Sequence, residues 1–241
     1  PDGRARAVSP AEECPVSIWS VLLDLLFPPR CPFCGKIQDK QGVCSICQKN
    51  LPVTREGESV RLLGAGLRCA APLWYEDLAR QGLLRFKFHD GISAADCLGE
   101  MIARCAAEAF YGEFDLVTWV PVSRRRLRRR GYDQAELLAR AACRVWQTEP
   151  SRLLRKCRHT PAQSGLRDAA QRRDNVLAAY EAADPAGIAG HRILLIDDIC
   201  TTGATLRECA RVLREAGAAD VMCAVAARTP SEKHGKTGKS S

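Results

Sequence analysis

The chain has 241 residues, 46% of them hydrophobic and 27% charged, a globular composition with length for one ordinary domain and a small appendage. Lys and Arg number 36 against 28 Asp and Glu, a net charge of +8 that favours phosphate-bearing partners, either nucleic acid or phosphorylated small molecules. The most apolar run, residues 18–27, is about half the length a membrane span needs and contains Asp24, which excludes membrane insertion. Pro1-Asp-Gly-Arg4 does not read as a signal peptide, so a cytoplasmic protein is expected.

Residues 1–17 read as a loose N-terminus. Ile18, Trp19, Leu22, Leu23 and Leu26 then recur at helical spacing until Pro28-Pro29 stops the helix. A cysteine-rich segment follows over 30–52, and a polar stretch over 54–58 puts a domain boundary near 52–65. Beyond it, apolar runs at 69–75, 116–120, 193–196 and 222–226 read as strands. Helical periodicity covers 94–110, 134–146 and the segment from Leu206 to a stop at Gly217. Strands alternating with helices predict an α/β fold, a mainly parallel sheet with helices on both faces. Residues 157–175 form a long polar, Arg-rich segment without periodicity, and loops that long inside a compact domain serve function or are disordered. The Lys/Gly/Ser-rich tail after residue 229 reads as disordered.

Thirteen cysteines in a chain of this length fit free buried thiols plus a metal site better than a disulfide scaffold. Cys31-x-x-Cys34 and Cys44-x-x-Cys47 supply four thiolates for tetrahedral Zn²⁺, with Gly35 easing the turn after the first pair. A redox-active CxxC is the alternative, and two such pairs in close succession favour metal. All four positions are protein ligands, so the zinc is expected to be structural.

The densest chemistry lies in Ile193-Leu-Leu-Ile-Asp-Asp-Ile-Cys-Thr-Thr-Gly-Ala-Thr205. A buried strand ends in Asp197 and Asp198, where ligands of open α/β sheets bind. Thr201, Thr202, Gly203, Ala204 and Thr205 then offer backbone N–H groups and hydroxyls at a helix N-terminus, a cradle for a phosphate. Carboxylates beside such a cradle suit a diol next to the phosphate, as in a ribose 5-phosphate. The plainer reading makes Asp197-Asp198 a strand-end turn and Thr205-Leu-Arg-Glu208 a capping box. That leaves the acid pair, two further threonines and the glycine unexplained.

These residues resemble the phosphoribosyl-pyrophosphate (PRPP) signature of type I phosphoribosyltransferases. The resemblance extends to one branch, the ComF family, which pairs an N-terminal zinc finger with that domain. It is carried by Leu22-Leu-Asp-Leu-Leu-Phe-Pro-Pro-Arg-Cys-Pro-Phe-Cys-Gly35, Leu84-Arg-Phe-Lys-Phe88, Val120-Pro-Val-Ser-Arg-Arg-Arg-Leu-Arg-Arg-Arg-Gly-Tyr-Asp-Gln-Ala-Glu136 and Thr160-Pro-Ala-Gln163, in family order from about residue 20 to 228. Ser123, where a second proline is expected, and the oxidisable Cys200 depart from the pattern.

The resemblance implies a loose segment at 1–17, a helix and four-cysteine zinc ribbon at 18–60, a phosphoribosyltransferase domain at 61–229 and a tail at 230–241. It implies that Asp197 and Asp198 hold the ribose hydroxyls and that residues 201–205 hold the 5-phosphate. The Val120–Ser123 turn becomes the pyrophosphate loop, with Val122 and Ser123 binding PRPP, and 157–175 a hood that excludes water. Arg172 and Arg173 are the candidates for neutralising the departing pyrophosphate, together with Mg²⁺ brought by PRPP. Lys87 is either a phosphate ligand or a snorkelling strand lysine. The cluster Arg124, Arg125, Arg126, Arg128, Arg129 and Arg130 is either a solvated helix start or a surface for pyrophosphate or single-stranded DNA. Tyr132 is the one aromatic near it, so no base-stacking platform is evident. The function expected is therefore phosphoribosyl transfer from PRPP to an unidentified acceptor, linked to competence and DNA uptake. The alternatives are a PRPP-sensing or single-stranded-DNA-binding accessory protein and a structural partner of a competence helicase.

Overall fold

The computed structural model describes residues 28–55, 57–88, 91–157 and 179–230. The helix expected before Pro28, the lid arginines Arg172 and Arg173 with most of the hood, and the tail from residue 231 lie outside these.

Two nine-residue strands, β7 (Arg192–Cys200) and β8 (Asp220–Arg228), form the centre of a sheet. They pair in parallel, with Leu194 opposite Met222 and Ile196 opposite Ala224. β4 (Leu116–Trp119) lies in parallel on the outer side of β7. β2 (Arg68–Ala70) and β3 (Leu73–Trp74) both lie in parallel on β8, and β1 (Val60–Leu62) closes the far edge antiparallel to β2. The apolar run expected as one strand at 69–75 is thus two, in one register on β8 (Ala70 opposite Ala224, Leu73 opposite Ala227). Pro72 stands at the break because it has no N–H to give the ladder.

Strand alternation divides the core. Leu194, Ile196, Met222 and Ala224 join one cluster with α2 (Asp77–Phe88), α3 (Gly91–Ala109) and α5 (Gln134–Val145). Ile193, Leu195, Val221 and Cys223 join the other with α7 (Ala204–Glu215). Both faces are covered, which is why these strands read as continuous apolar runs rather than alternating ones. α3 and α5 approach closely through Gly99, where a Cβ would stand 2.3 Å from the Ala141 Cβ.

Three smaller pieces complete the described fold. α1 (Ser45–Asn50) follows the second CxxC pair, α4 (Arg124–Arg130) is the arginine run, and α6 (Pro185–Ile188) is a single turn before β7. β5 (Leu154–Lys156) and β6 (Tyr180–Ala182) make a separate antiparallel ribbon, on whose two strands the hood segment begins and ends. No helix among the described residues is long and apolar enough to cross a membrane.

Candidate functional site: an acid pair beside a threonine loop

The site is built where β7 gives way to α7. The strand continues past the four apolar residues seen in the sequence, so Asp197 and Asp198 lie within its last turn-ward residues rather than beyond them. Ile196 and Ile199, three apart, pack against the same cluster, so the two-residue alternation lapses across the acid pair. The Asp197 carboxylate accepts the Asp198 N–H at 2.8 Å. Burial and the charge of Asp198 push the Asp197 carboxyl well above the usual range; the same N–H and Lys87 only partly counter them.

Lys87 sits in the last turn of α2, not on a strand, which removes the strand-lysine reading. Its Nζ is 2.8 Å from Asp198 Oδ2, with the two side chains 22% and 15% exposed. Burial alone would lower the Lys87 pKa, but Asp198 and then Asp197 outweigh it and the net displacement is upward. Of the two sequence readings, the structure thus brings Lys87 into the site, against an acid rather than in the threonine loop.

The loop itself turns on Gly203, which adopts φ +73 and stands as N-cap of α7 without a side-chain cap. The helix therefore begins two residues earlier than the capping-box reading required, and Thr205 lies inside it. Glu208, the other half of that box, is buried and pairs with Arg211 at 2.9 Å. Arg207 fixes the loop by donating from Nη1 to the carbonyls of Thr202 (2.8 Å) and Leu63 (3.1 Å). Thr229 does the same at the other end, its hydroxyl donating to the Thr201 carbonyl at 3.3 Å. Cys200 is buried, held against the buried Cys69, which lowers its thiol pKa against the cost of burial.

The expected pyrophosphate loop follows β4. Val120 N–H bonds the Ile196 carbonyl, tying this loop to the acid-bearing strand. Val122 N–H donates 2.9 Å to Asp133 Oδ2, and Asp133 also caps α5 by accepting from Ala135 and Glu136. Burial raises the Asp133 carboxyl to about 6 despite these three donors. Sequence reasoning missed Asp133, although an Asp just before Gln134-Ala-Glu136 is a readable N-cap signal. Ser123 caps α4, accepting the Arg126 N–H at 3.4 Å. On α4, Arg126 and Arg130 are half-buried and Arg124, Arg125, Arg128 and Arg129 are exposed, so the run divides into an inner and an outer face. Burial lowers the Arg130 pKa, as do Arg126 and Arg129, while Asp198 opposes them, which puts Arg130 within the field of the acid pair.

Lys156 was also missed, because a lone lysine in a three-residue strand carries no sequence signal. Its Nζ lies 3.0 Å from the Tyr180 hydroxyl and 4.7 Å from that ring's centre. Burial first, then Arg126, lowers its pKa to about 8, against the pull of Asp197 and Asp133. A groove of ≈470 Å³ runs between the Gly64–Ala65 turn and α7, but neither acid lines it. Its arginines are engaged within the protein: Arg207 with carbonyls, Arg211 with Glu208 and Glu215, and Arg214 with the Ala65 carbonyl.

The second centre is the cysteine cluster. The Sγ atoms of Cys31, Cys34, Cys44 and Cys47 all lie within 4.8 Å of one another, and Cys34 and Cys44 are 3.7 Å apart. Zn–S bonds of about 2.3 Å in a tetrahedron put sulfurs about 3.8 Å apart, so the four thiols fit a closed structural zinc site. Burial opposes ionisation of Cys31, but the N–H groups of Cys34, Cys44 and Phe33 bring its thiol down to about 6. Burial and the neighbouring sulfurs push Cys47 up. Among the described residues this is the one group of three or more such side chains that could hold a metal.

Comparison with known proteins gives two domain matches: the double zinc ribbon domain over 22–59 and the phosphoribosyl transferase domain over 130–239. The chain is similar to competence protein F of Haemophilus influenzae, 36% identical over 105 residues, which is 42% of this chain and 45% of that protein. It is similar to competence protein ComFC of Bacillus subtilis, 28% identical over 78% of this chain and 73% of that protein. It is also similar to the DNA utilization protein YhgH of Escherichia coli O157:H7, 34% identical over 48% of this chain and 50% of that protein. The match thus spans about half the length of the first and third of these relatives. Among solved structures, the glutamine phosphoribosylpyrophosphate amidotransferase of Bacillus subtilis aligns with 25% identity and a TM-score of 0.41, over 59% of this chain and 30% of that one.

Proposed function

Because a double zinc ribbon followed by a type I phosphoribosyltransferase fold places this chain in the ComF family, we propose that it binds PRPP with Mg²⁺ and transfers the phosphoribosyl group to an acceptor. The observation that carries this reading is the junction of β7 and α7, where Asp197 and Asp198 stand directly before a threonine loop that turns on a left-handed Gly203. In this reading the two carboxylates accept hydrogen bonds from the ribose hydroxyls. The N–H groups and hydroxyls of 201–205 hold the 5-phosphate, and the Val122–Ser123 loop faces the pyrophosphate. Lys87 offsets the charge of the acids, so that a ligand rich in phosphates can approach them.

The donor chemistry suits Mg²⁺: two carboxylates are too few for a dedicated site, but the ion keeps waters and shares its shell with substrate phosphates. When bound, it supplies charge neutralisation at the leaving group. In the transfer, the acceptor's nucleophilic atom bonds to C1 of the ribose as pyrophosphate departs with the bonding pair. Water must be excluded meanwhile, the role proposed for the hood, whose Arg172 and Arg173 neutralise the departing pyrophosphate in this reading. The division at residue 60 between ribbon and transferase domain belongs to this proposal, with a qualification: Phe33 of the ribbon shares its apolar cluster with Leu83 and Phe86 of α2. Residues on both sides of that boundary therefore share one apolar cluster.

Calorimetric titration with PRPP and Mg²⁺ tests the proposal. The unaltered protein is expected to bind, and Asp197→Asn/Asp198→Asn to bind roughly a hundredfold or more weaker, since two charge-assisted hydrogen bonds are lost. Equal affinity in the variant sinks the site assignment. An absence of binding in the unaltered protein sinks the function. Pyrophosphate release with candidate acceptors then separates transfer from sensing.

A second reading has its own observation. The outer face of α4 exposes Arg124, Arg125, Arg128 and Arg129 together, and relatives bear names that refer to competence and DNA utilization. Four phosphate contacts to single-stranded DNA predict a log–log salt slope of about −3 that the fourfold alanine variant flattens. DNA affinity that is absent at low salt, or indifferent to those alanines, removes this reading.

A further inference from the structure

The zinc module and the acid pair meet on one helix. Gly82 lies in the middle of α2, and a Cβ there would stand 2.7 Å from Phe33 Cδ1, 3.1 Å from the Pro32 carbonyl oxygen and 3.2 Å from Phe33 Cα. Phe33, between the two cysteines of the first pair, is fully buried in one cluster with Leu83 and Phe86. One turn further on, the Arg85 guanidinium lies across Gly35, where a Cβ would stand 1.9 Å from Nη1. The space left between Arg30, Cys31, Gly35 and Arg85 is ≈10 Å³, too little for a layer of water between the surfaces.

The next two residues of α2 face the catalytic fold. The Phe86 carbonyl accepts the Tyr132 hydroxyl at 2.9 Å, and Lys87 reaches Asp198 at 2.8 Å. Arg85, Phe86 and Lys87 therefore touch the zinc knuckle, the loop after α4 and the acid pair in succession. Gly82 and Lys87 are five residues apart, about 7.5 Å of helix, a length over which a helix moves as a rigid rod. Close packing transmits displacement rather than absorbing it, and an ion pair of this kind is lost once its atoms part beyond about 4 Å.

We infer that the zinc knuckle is the seat of Lys87: Phe33 and Gly82 are positioning residues that act on the acid pair through α2. Binding of PRPP then depends on a knuckle held in shape. The consequence for ligand rests on the ribose-phosphate reading, whereas the seating of Lys87 does not.

Gly82→Ala tests it, since the added methyl meets Phe33 while all four cysteines and Lys87 stay in place. Zinc content is expected to stay at that of the unaltered protein. Acetylation of Lys87 by acetic anhydride, measured by mass spectrometry against the exposed Lys49, is expected to rise about tenfold as the amine leaves its carboxylate. PRPP–Mg²⁺ affinity is expected to fall about tenfold, and to fall no further when Gly82→Ala is added to Lys87→Met, the signature of two changes acting through one contact. Lys87 as shielded in Gly82→Ala as in the unaltered protein overturns the inference. So do losses of affinity that multiply in the double variant. If the unaltered protein binds no PRPP, the ribose-phosphate reading falls and the labelling alone decides the seating of Lys87. Should Gly82→Ala fail to fold, Phe33→Leu takes its place with the same readouts, and an unchanged Lys87 there overturns the inference equally.

Discussion

Replacing Lys87 by Met removes a charge from a part-buried ion pair while keeping most of the side chain's apolar stem. At 2.8 Å and an effective dielectric of about 20, the gross attraction to Asp198 is about 6 kcal/mol. Desolvation of both groups takes back much of that, yet a lone removal leaves a carboxylate buried beside another carboxylate. Both side chains keep some solvent contact, which puts the expected loss at about 3 kcal/mol near pH 8, the low end for a broken buried pair. For a chain of this size that is a fall in melting temperature of about 6–12 °C.

The sign with pH follows from linkage. Burial holds the Asp197 carboxyl raised even beside Lys87, and without Lys87 the folded acid pair keeps its proton still more firmly at pH values where the unfolded carboxylates have lost theirs. The folded state then binds more protons, and stability falls as pH rises above about 4. Lys87 itself has its folded pKa raised, so its contribution in the unaltered protein is lost only in the alkaline range, above the pKa of a free lysine. Melting curves of the two proteins from pH 4.5 to 8 are expected to diverge steadily with pH. Adding Asp197→Asn to Lys87→Met should restore part of the loss at pH 8. A melting difference that is the same at both ends of the range, or below about 2 °C throughout, would refute the charge-compensation argument.

Lys156, with its pKa lowered to about 8, is expected to make PRPP affinity fall as pH rises from 7.5 to 9, because the neutral amine no longer attracts phosphate. Calorimetry across that range should show the decline, and Lys156→Arg, charged throughout, should flatten it. Gly203→Ala forces a Cβ into a left-handed position 2.9 Å from Leu63 Cδ2, at a cost of about 1–2 kcal/mol. Its melting temperature should drop accordingly and its PRPP affinity should weaken; an unchanged affinity would mean the loop does not hold the phosphate. Cys34→Ser removes one of four thiolates, so metal analysis should find zinc lost, and limited trypsin digestion should cut within residues 30–49 faster than in the unaltered protein.

Much of the site was legible because its chemistry is local in sequence. The acid pair, the threonines and Gly203 are consecutive, so a strand pattern followed by a turn pattern sufficed to place them together. The four cysteines were legible for the same reason: two CxxC turns each fix two ligands, and only their approach needed the fold. Lys87 was half legible. Flanked by Phe86 and Phe88, it read as a phosphate ligand or a strand lysine, and the helix that carries it, α2, went unread because Arg80, Arg85 and Lys87 blur its apolar face. Asp133, Arg207 and Lys156 act on main-chain groups or on side chains far away in the chain, as Arg207 does across to Leu63. Such contacts leave no periodicity to read. The capping box failed because Gly203 could take a left-handed φ and start the helix early, an option that a pattern of side chains does not record.

On the proposed function, the arrangement of charge explains how the acids could stand beside a loop that holds a phosphate. Asp197 and Asp198 alone would repel the anion that the helix N-terminus attracts. Lys87 sits on one side of them, 2.8 Å from Asp198, and Arg130 and Lys156 lie close enough to exchange field with one acid or the other. Each cation belongs to a different element: α2, the end of α4 and the first strand of the hood ribbon. The balance therefore requires those elements to be placed correctly relative to β7, and two of them have outside supports, the zinc knuckle under α2 and the hood ribbon around Lys156. In the proposed complex a ribose hydroxyl hydrogen-bonded to Asp198 would share that carboxylate with Lys87, so binding would redistribute an existing ion pair. The same redistribution makes affinity sensitive to any change that moves α2, and the Gly82→Ala experiment reads that motion directly.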